Sequence, residues 1–277
     1  MHAFLQKLIP QHVLSRFMGK LGNCENTAYK NWMIQKFIRA YDVNMSEALQ
    51  SDPSSYKSFN DFFTRHLKPG ARDFNKPANA LLSPADGSIS EYGAIENGRL
   101  LQAKGHYYSV DELLGMSNLS SAFEQGSFMT IYLSPKDYHR VHMPYAGVLR
   151  EMIYVPGKLF SVNESSVKGV PNVFARNERV ICLFDTTFGP MAVVMVGAMI
   201  VASIHTAWHG QVTPQSCRQL TAWVYRDYPV ELDRGEEMGF FQMGSTAIVL
   251  FPQNILHFSE QLKVGGSIFL GDEIAQF

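Results

Sequence analysis

The step Met243-Gly244-Ser245-Thr246, set in the strand-like run from Phe241 to Phe251, holds the residues best suited to chemistry on the chain itself. Glycine lacks a Cβ, so it reaches backbone angles closed to other residues and leaves its carbonyl open to attack. The adjoining serine hydroxyl can attack that carbonyl and exchange the amide for an ester. Elimination across the serine Cα–Cβ bond then leaves dehydroalanine, which hydrolyses to ammonia and an N-terminal pyruvoyl group. The product is a carbonyl electron sink made from backbone. Gly-Ser also occurs at Gly87-Ser88, Gly126-Ser127 and Gly266-Ser267, where a turn is the ordinary reading. The step at 244 therefore takes its meaning from the residues around it.

Such an attack needs a base for the hydroxyl proton and a group to orient the base. Histidine suits the first task because its pKa lies near neutrality. Two of the nine histidines fall together in His139-Arg140-Val141-His142. A helical His-x-x-His can hold zinc, but Pro135 and Pro144 bracket this pair and no cysteine or third histidine lies near it in sequence. No metal is expected. His66, His106 and His257 stand alone and are read as structural. Asp137, five residues from His142, and Asp86 are both open as the orienting acid on sequence grounds.

Several long segments add a resemblance. Phe59-Asn60-Asp61-Phe62-Phe63-Thr64-Arg65, Ser83-Pro84-Ala85-Asp86-Gly87 and Asp137 to Pro144 occur in that order. They are followed by Val155 to Asn163, Phe174 to Arg179, and Gly235-Glu236-Glu237-Met238-Gly239 leading to Met243-Gly244-Ser245-Thr246. Together these resemble the bacterial-type phosphatidylserine decarboxylase proenzymes over almost the whole chain. Met243 departs from the leucine that many relatives carry there, an exchange of similar apolar volume. The resemblance implies that the chain cuts itself between Gly244 and Ser245, giving a large β chain (1–244) and a small α chain (245–277) that stay associated. It makes Ser245 the pyruvoyl precursor and the Schiff-base position for phosphatidylserine, with phosphatidylethanolamine and carbon dioxide as products. It also selects His142 as the base for Ser245, Asp86 over Asp137 as its orienting acid, and His139 as the donor of the proton that replaces the lost carboxylate. A homodimer is the implied assembly. Backbone N–H groups of Val155 to Lys158, with Arg140, are candidate head-group donors. Leu159 and Phe160 are read as core or acyl-chain contacts.

Composition sets the surroundings. The chain has 277 residues, 46% hydrophobic and 18% charged, and a formal net charge of −1, which excludes a broadly basic nucleic-acid binder. The charge is uneven. Residues 1–41 hold Lys7, Arg16, Lys20, Lys30, Lys36 and Arg39 against Glu25, while the remainder carries 18 basic and 24 acidic residues. Cys24, Cys182 and Cys217 form no Cys-x-x-Cys spacing, which fits a reducing compartment. Gln6, Lys7, Gln11 and His12 interrupt any signal-peptide core, and the uncharged run Met191 to Ile204 is shorter than the roughly 18 to 20 residues of a spanning helix. That run reads as a buried strand bent at Gly197.

Elements to position these groups follow from periodicity. Apolar residues at 4, 5, 8, 9, 13, 14, 17, 18 and 21 have helical spacing, with Pro10 as a break. Tyr29 to Tyr41 places Trp32, Met33, Phe37 and Tyr41 on one face of a second helix. Residues 1–76 are thus a helical, membrane-associating region with a connector, whose helix start lies at Ser58. Each basic side chain near an anionic surface contributes about 1 kcal/mol, so three of six give roughly 3 kcal/mol. The expected location is peripheral, on the cytoplasmic face of the cell membrane. Residues 77–277 carry recurrent β-branched and aromatic runs: Phe128–Leu133, Val148–Val155, Val180–Phe184, Met191–Ile204, Leu220–Tyr225 and Thr246–Phe251. The fold class is α+β, with a mainly antiparallel β core. The tail from Val264 to Ala275 resembles the closing hairpin of lipoyl- and biotinyl-carrier folds. Two other function classes compete: a lipid-acting serine hydrolase, disfavoured by the lack of a Gly-x-Ser-x-Gly elbow at Ser245, and a non-enzymatic membrane-associated β scaffold.

Overall fold

The computed structural model describes residues 10–277, apart from 104, 116–119, 200–202, 216–218 and 254–255. It is an α+β fold dominated by antiparallel sheets. The largest sheet runs in the order Thr221–Val224, Gly147–Val155, Arg179–Thr186, Gly189–Val196, Ser245–Phe251, Ser127–Leu133, Gly87–Ala94, Ser267–Ile268, and Val230–Leu232 also pairs with Gly147–Val155. A four-stranded sheet orders Gly210–Gln211, Ser203–Thr206, Glu237–Gln242 and Arg140–His142.

The Ser245–Phe251 strand lies deep in the large sheet because every one of its residues is buried. Ala247, Val249 and Phe251 face one core with Ile131, Val193 and Met195, while Ile248 and Leu250 face a second core with Phe128 and Val194. Strand alternation makes both faces apolar, and each large side chain so buried contributes about 1.5–3 kcal/mol. The strand therefore fixes Ser245 rigidly at its first position.

Among the described residues two longer helices, Gln11–Gly22 and Thr27–Tyr41, precede the β body. Asn26 caps the Thr27–Tyr41 helix by accepting from the Tyr29 N–H, and Asp42 ends it in the left-handed conformation. The buried contact of this helix is Ile34, which packs with Phe59, Phe62, Phe63 and Met243. Phe37 and Met33 lie against that cluster, whereas Trp32 and Tyr41 are exposed, so the single apolar face expected from the spacing is divided. In the Gln11–Gly22 helix the polarity is reversed. Gln11, Ser15, Gly19 and Gly22 are buried against the body, while Val13 and Phe17 face outward. The helical spacing at residues 4–9 lies outside the described residues. Ser58 accepts from the Asp61 N–H and starts the short helix Phe59–Phe63, as its sequence position suggests.

Two expectations need correction. The run from Met191 gives two strands, Gly189–Val196 and Ser203–Thr206, which enter different sheets. Gly197 lies against the Glu178 carbonyl, where a Cβ would stand 3.2 Å away. The tail does not close as a hairpin. Ser267–Ile268 pairs with Gly87–Ser88, while Glu273–Gln276 pairs with Ala80–Leu82 and His257–Phe258.

Candidate active site

Met243 and Gly244 form the crossing between the two sheets. Gln242 is the last residue paired in the smaller sheet, opposite Ser203, and Ser245 is the first in the larger, opposite Leu133. The crossing is tight, and Met243 takes φ 73°, with Gly244 at φ 22°. A non-glycine residue in this region costs about 1–2 kcal/mol. The packing of the Met243 side chain among Ile34, Phe59, Phe62 and Phe63 holds it there. A Cβ built on Gly244 would meet nothing within 4 Å, so it is the backbone conformation rather than crowding that favours glycine there. Ser245 is fully buried, and its Oγ has no hydrogen-bond partner. An orphaned, buried hydroxyl beside a strained backbone fits a group that is to be consumed by reaction, and Ser245 fits the pyruvoyl precursor in this respect.

His142 is held in a defined tautomer. Its Nδ1 lies 2.8 Å from the Gly235 carbonyl oxygen, which can only accept, so Nδ1 carries the proton. Nε2 then has a lone pair and accepts from the Tyr138 hydroxyl at 3.2 Å. Burial is the main cause lowering the His142 pKa, which keeps the imidazole neutral, with the Nε2 lone pair available. The segment is locked in place, since the Gly235 N–H donates to the Met143 carbonyl and the Met143 N–H to that of Glu236.

Asp86 does not touch this ring through a hydrogen bond. Arg72 donates from Nε to Asp86 Oδ1 at 2.9 Å and from Nη2 to Oδ2, and the Leu270 N–H adds a bond to Oδ1 at 2.8 Å. Arg72 also pairs with Glu47 at 2.9 Å. The tautomer-fixing role that the resemblance gives Asp86 is thus filled by the Gly235 carbonyl in the uncut chain. Asp137 is equally committed, since it accepts from the Ser134 N–H at 2.7 Å, and burial raises its pKa.

His139 and His142 diverge, because residues three apart in extended backbone point to opposite faces. The His139 ring is completely buried and stacks on Phe63 at 4.0 Å between centroids. Neither ring nitrogen makes a hydrogen bond of good geometry. Burial, and then the positive charge of Arg65, push its pKa down to about 3, with the Ser134 and Pro135 carbonyls opposing. Its own carbonyl accepts from the Phe241 N–H at 3.0 Å, which ties it to the strand that leads to the crossing.

Of the expected head-group donors, Arg140 and the Lys158 N–H are engaged within the protein. Arg140 pairs with Glu237 at 2.6 Å and donates to the Thr64 carbonyl. The Lys158 N–H donates to the Arg176 carbonyl and the Leu159 N–H to Gln11. Leu159 and Phe160 are buried in the protein and offer no surface to an acyl chain. Sequence reading assigned nothing to Arg72, Tyr138, Gly235 or Arg65. Arg65 and Gly235 lie within quoted motifs, but their partners are 71 to 93 residues distant.

Comparison with known proteins places the sequence in a family. A family model described as Phosphatidylserine decarboxylase matches residues 59–276, and a second, described as PSD, matches residues 1–42. The phosphatidylserine decarboxylase proenzyme of Pseudomonas putida (strain F1) is 54% identical over 274 residues, covering 98% of this chain and 95% of the relative. That of Bordetella pertussis (strain Tohama I) is also 54% identical, over 98% of this chain and 92% of its own.

Proposed function

The chain belongs to the phosphatidylserine decarboxylase family, and from that premise we propose that it cuts its own backbone between Gly244 and Ser245 to become active. The activity is decarboxylation of phosphatidylserine. The observation that carries the self-cleavage reading is the buried, unpartnered Ser245 Oγ beside a left-handed Met243 at the junction of two sheets. His142, neutral and protonated at Nδ1, takes the hydroxyl proton at Nε2 once Tyr138 gives way. Asp86, pinned by Arg72, supplies a fixed negative charge nearby, which favours the imidazolium that forms.

A pyruvoyl group made from Ser245 supplies a carbonyl that takes up the electron pair released with carbon dioxide. We assign to His139, stacked on Phe63 and neutral in the uncut chain, delivery of the proton to the former α-carbon of the substrate; a substrate carboxylate beside the ring would favour the imidazolium that this role needs. Burial of the ring keeps bulk water from that carbon. After the cut, the strand Ser245–Phe251 remains clamped between Ser127–Leu133 and Gly189–Val196, so the two fragments stay together without a covalent link.

The reversed helix supports membrane association. Val13 and Phe17 are exposed on the helix that also carries Arg16 and Lys20, and on the next helix Trp32 is exposed with Lys36 over its ring at 5.1 Å. Outward apolar residues flanked by cations suit the interface of an anionic bilayer. Among the described residues no helix is long and apolar enough to cross one.

Denaturing electrophoresis with mass spectrometry tests the central step. Active protein should separate into residues 1–244 and 245–277, the latter lacking a free α-amino group and reacting with phenylhydrazine. An active, unbroken chain with an ordinary serine at 245 would falsify the reading.

A further inference from the structure

Arg65 is a buried cation that forms no salt bridge with a carboxylate among the described residues. It follows the Phe59–Phe63 helix and is 4% exposed. Its Nη2 donates to the carbonyls of Lys136 and Asp137, at 2.9 and 3.4 Å. Its Nε and Nη1 are buried and have no hydrogen-bond partner, and the guanidinium lies over the Phe62 ring at 5.5 Å. The carboxylates that feel its charge are engaged with other groups. Asp86 and Glu47 are held by Arg72, and Asp137 accepts from Ser134. Burial accordingly lowers the Arg65 pKa, and leaving such donors unmet is strongly unfavourable.

The position of Arg65 says what could meet them. Phe59, Phe62 and Phe63, just before it, pack with Met243, the residue preceding Gly244. The carbonyls it holds lie on the segment leaving the Ser127–Leu133 strand, whose last residue is paired with Ser245. Arg65 therefore joins the helix packed on Met243 to the segment that follows the partner strand of Ser245.

No described carboxylate pairs with Arg65 in the uncut chain, but the reaction creates one. Ser245 Oγ adds to the Gly244 carbonyl carbon and gives its proton to the base. The C–N bond breaks, the nitrogen takes a proton, and an ester joins Gly244 to Ser245 Oγ. Loss of the residue 245 α-proton to a base then breaks the Cβ–Oγ bond. The electron pair leaves on oxygen as the Gly244 carboxylate, and residue 245 becomes dehydroalanine.

We propose that Arg65 is the built-in counter-ion for the departing Gly244 carboxylate. This rests on the self-cleavage reading and assigns a residue to its second step. Donors aimed at a charge that exists only late in a reaction stabilise the transition state without stabilising the starting amide. Their lack of hydrogen-bond partners in the uncut chain is what that arrangement requires.

The test compares full-length wild type, R65Q and R65K by timed denaturing gels, with and without hydroxylamine, which splits esters and spares amides. R65Q should accumulate a full-length band that hydroxylamine cuts into residues 1–244 and 245–277, with elimination slowed roughly a hundredfold. R65K, which keeps the charge, should recover much of the rate. In the S245A background, which cannot cleave, R65Q should leave the melting temperature unchanged or raise it, because an unmatched charge is removed. Wild-type kinetics for R65Q, a full-length R65Q band resistant to hydroxylamine, or a fall in melting temperature in S245A/R65Q would each overturn the counter-ion. A wild-type chain that never splits would instead overturn the self-cleavage reading beneath it.

Discussion

Two histidines three residues apart live in different electrostatic worlds. His142 has a carbonyl on one nitrogen and a hydroxyl on the other, whereas His139 has an aromatic face and a nearby guanidinium charge. The difference has a measurable consequence. Below about pH 6.5 the imidazole of residue 139 takes a proton in the unfolded chain, but the folded ring stays neutral to about pH 3. The unfolded state therefore binds more protons across that window, and stability falls as pH drops through it. H139F should preserve the stack on Phe63, flatten this part of the urea-midpoint against pH curve, and leave self-cleavage running. Turnover of phosphatidylserine should drop by at least about a hundredfold, as expected for loss of a general acid. Unchanged turnover would remove His139 from the chemistry.

At the scale of elements, the strain at Met243 comes from two sheets joined by two residues. The Glu237–Gln242 strand belongs to one and Ser245–Phe251 to the other, so the crossing cannot relax without breaking pairing. Met243 is kept in a left-handed conformation by the aromatic cluster around it. M243G should remove a backbone penalty of about 1–2 kcal/mol and lose side-chain burial of similar size. In an S245A background its melting temperature should thus stay near that of S245A alone. Cleavage in the M243G single variant should slow by about tenfold or more, because the crossing is no longer forced. A gel time course matching wild type would show that strain at this residue does not drive the cut. This contact was not legible in sequence: Met243 read as a modest exchange for leucine, and nothing local tells that its partners are Ile34 and three phenylalanines some 180 residues earlier.

Over the whole molecule, the outward apolar residues of the first two helices are placed opposite to the usual sense of an amphipathic helix on a protein. Gln11 and Ser15 turn inward while Phe17 and Trp32 are each 57% exposed. F17E/W32E should abolish flotation with anionic vesicles, yet leave self-cleavage and turnover of detergent-dispersed substrate near wild type. Retained flotation would remove these helices as the docking surface. Helical periodicity announced the elements, but the outward side depended on which face the β body accepted.

Local chemistry was determined by sequence alone. A flexible glycine beside a serine, a histidine pair bracketed by prolines, β-branched runs punctuated by turns, and a capped helix start at Ser58 all depend on neighbours within a few residues. What the tertiary structure decided is which groups those residues meet. The Gly235 carbonyl holds His142, Arg72 holds Asp86, and Arg65 keeps two buried N–H groups without a hydrogen bond, because packing two sheets and a helix together brings distant segments into contact. Once so packed, a charge or a lone pair must find its partner among whatever the fold delivers, and sequence spacing carries no record of that delivery.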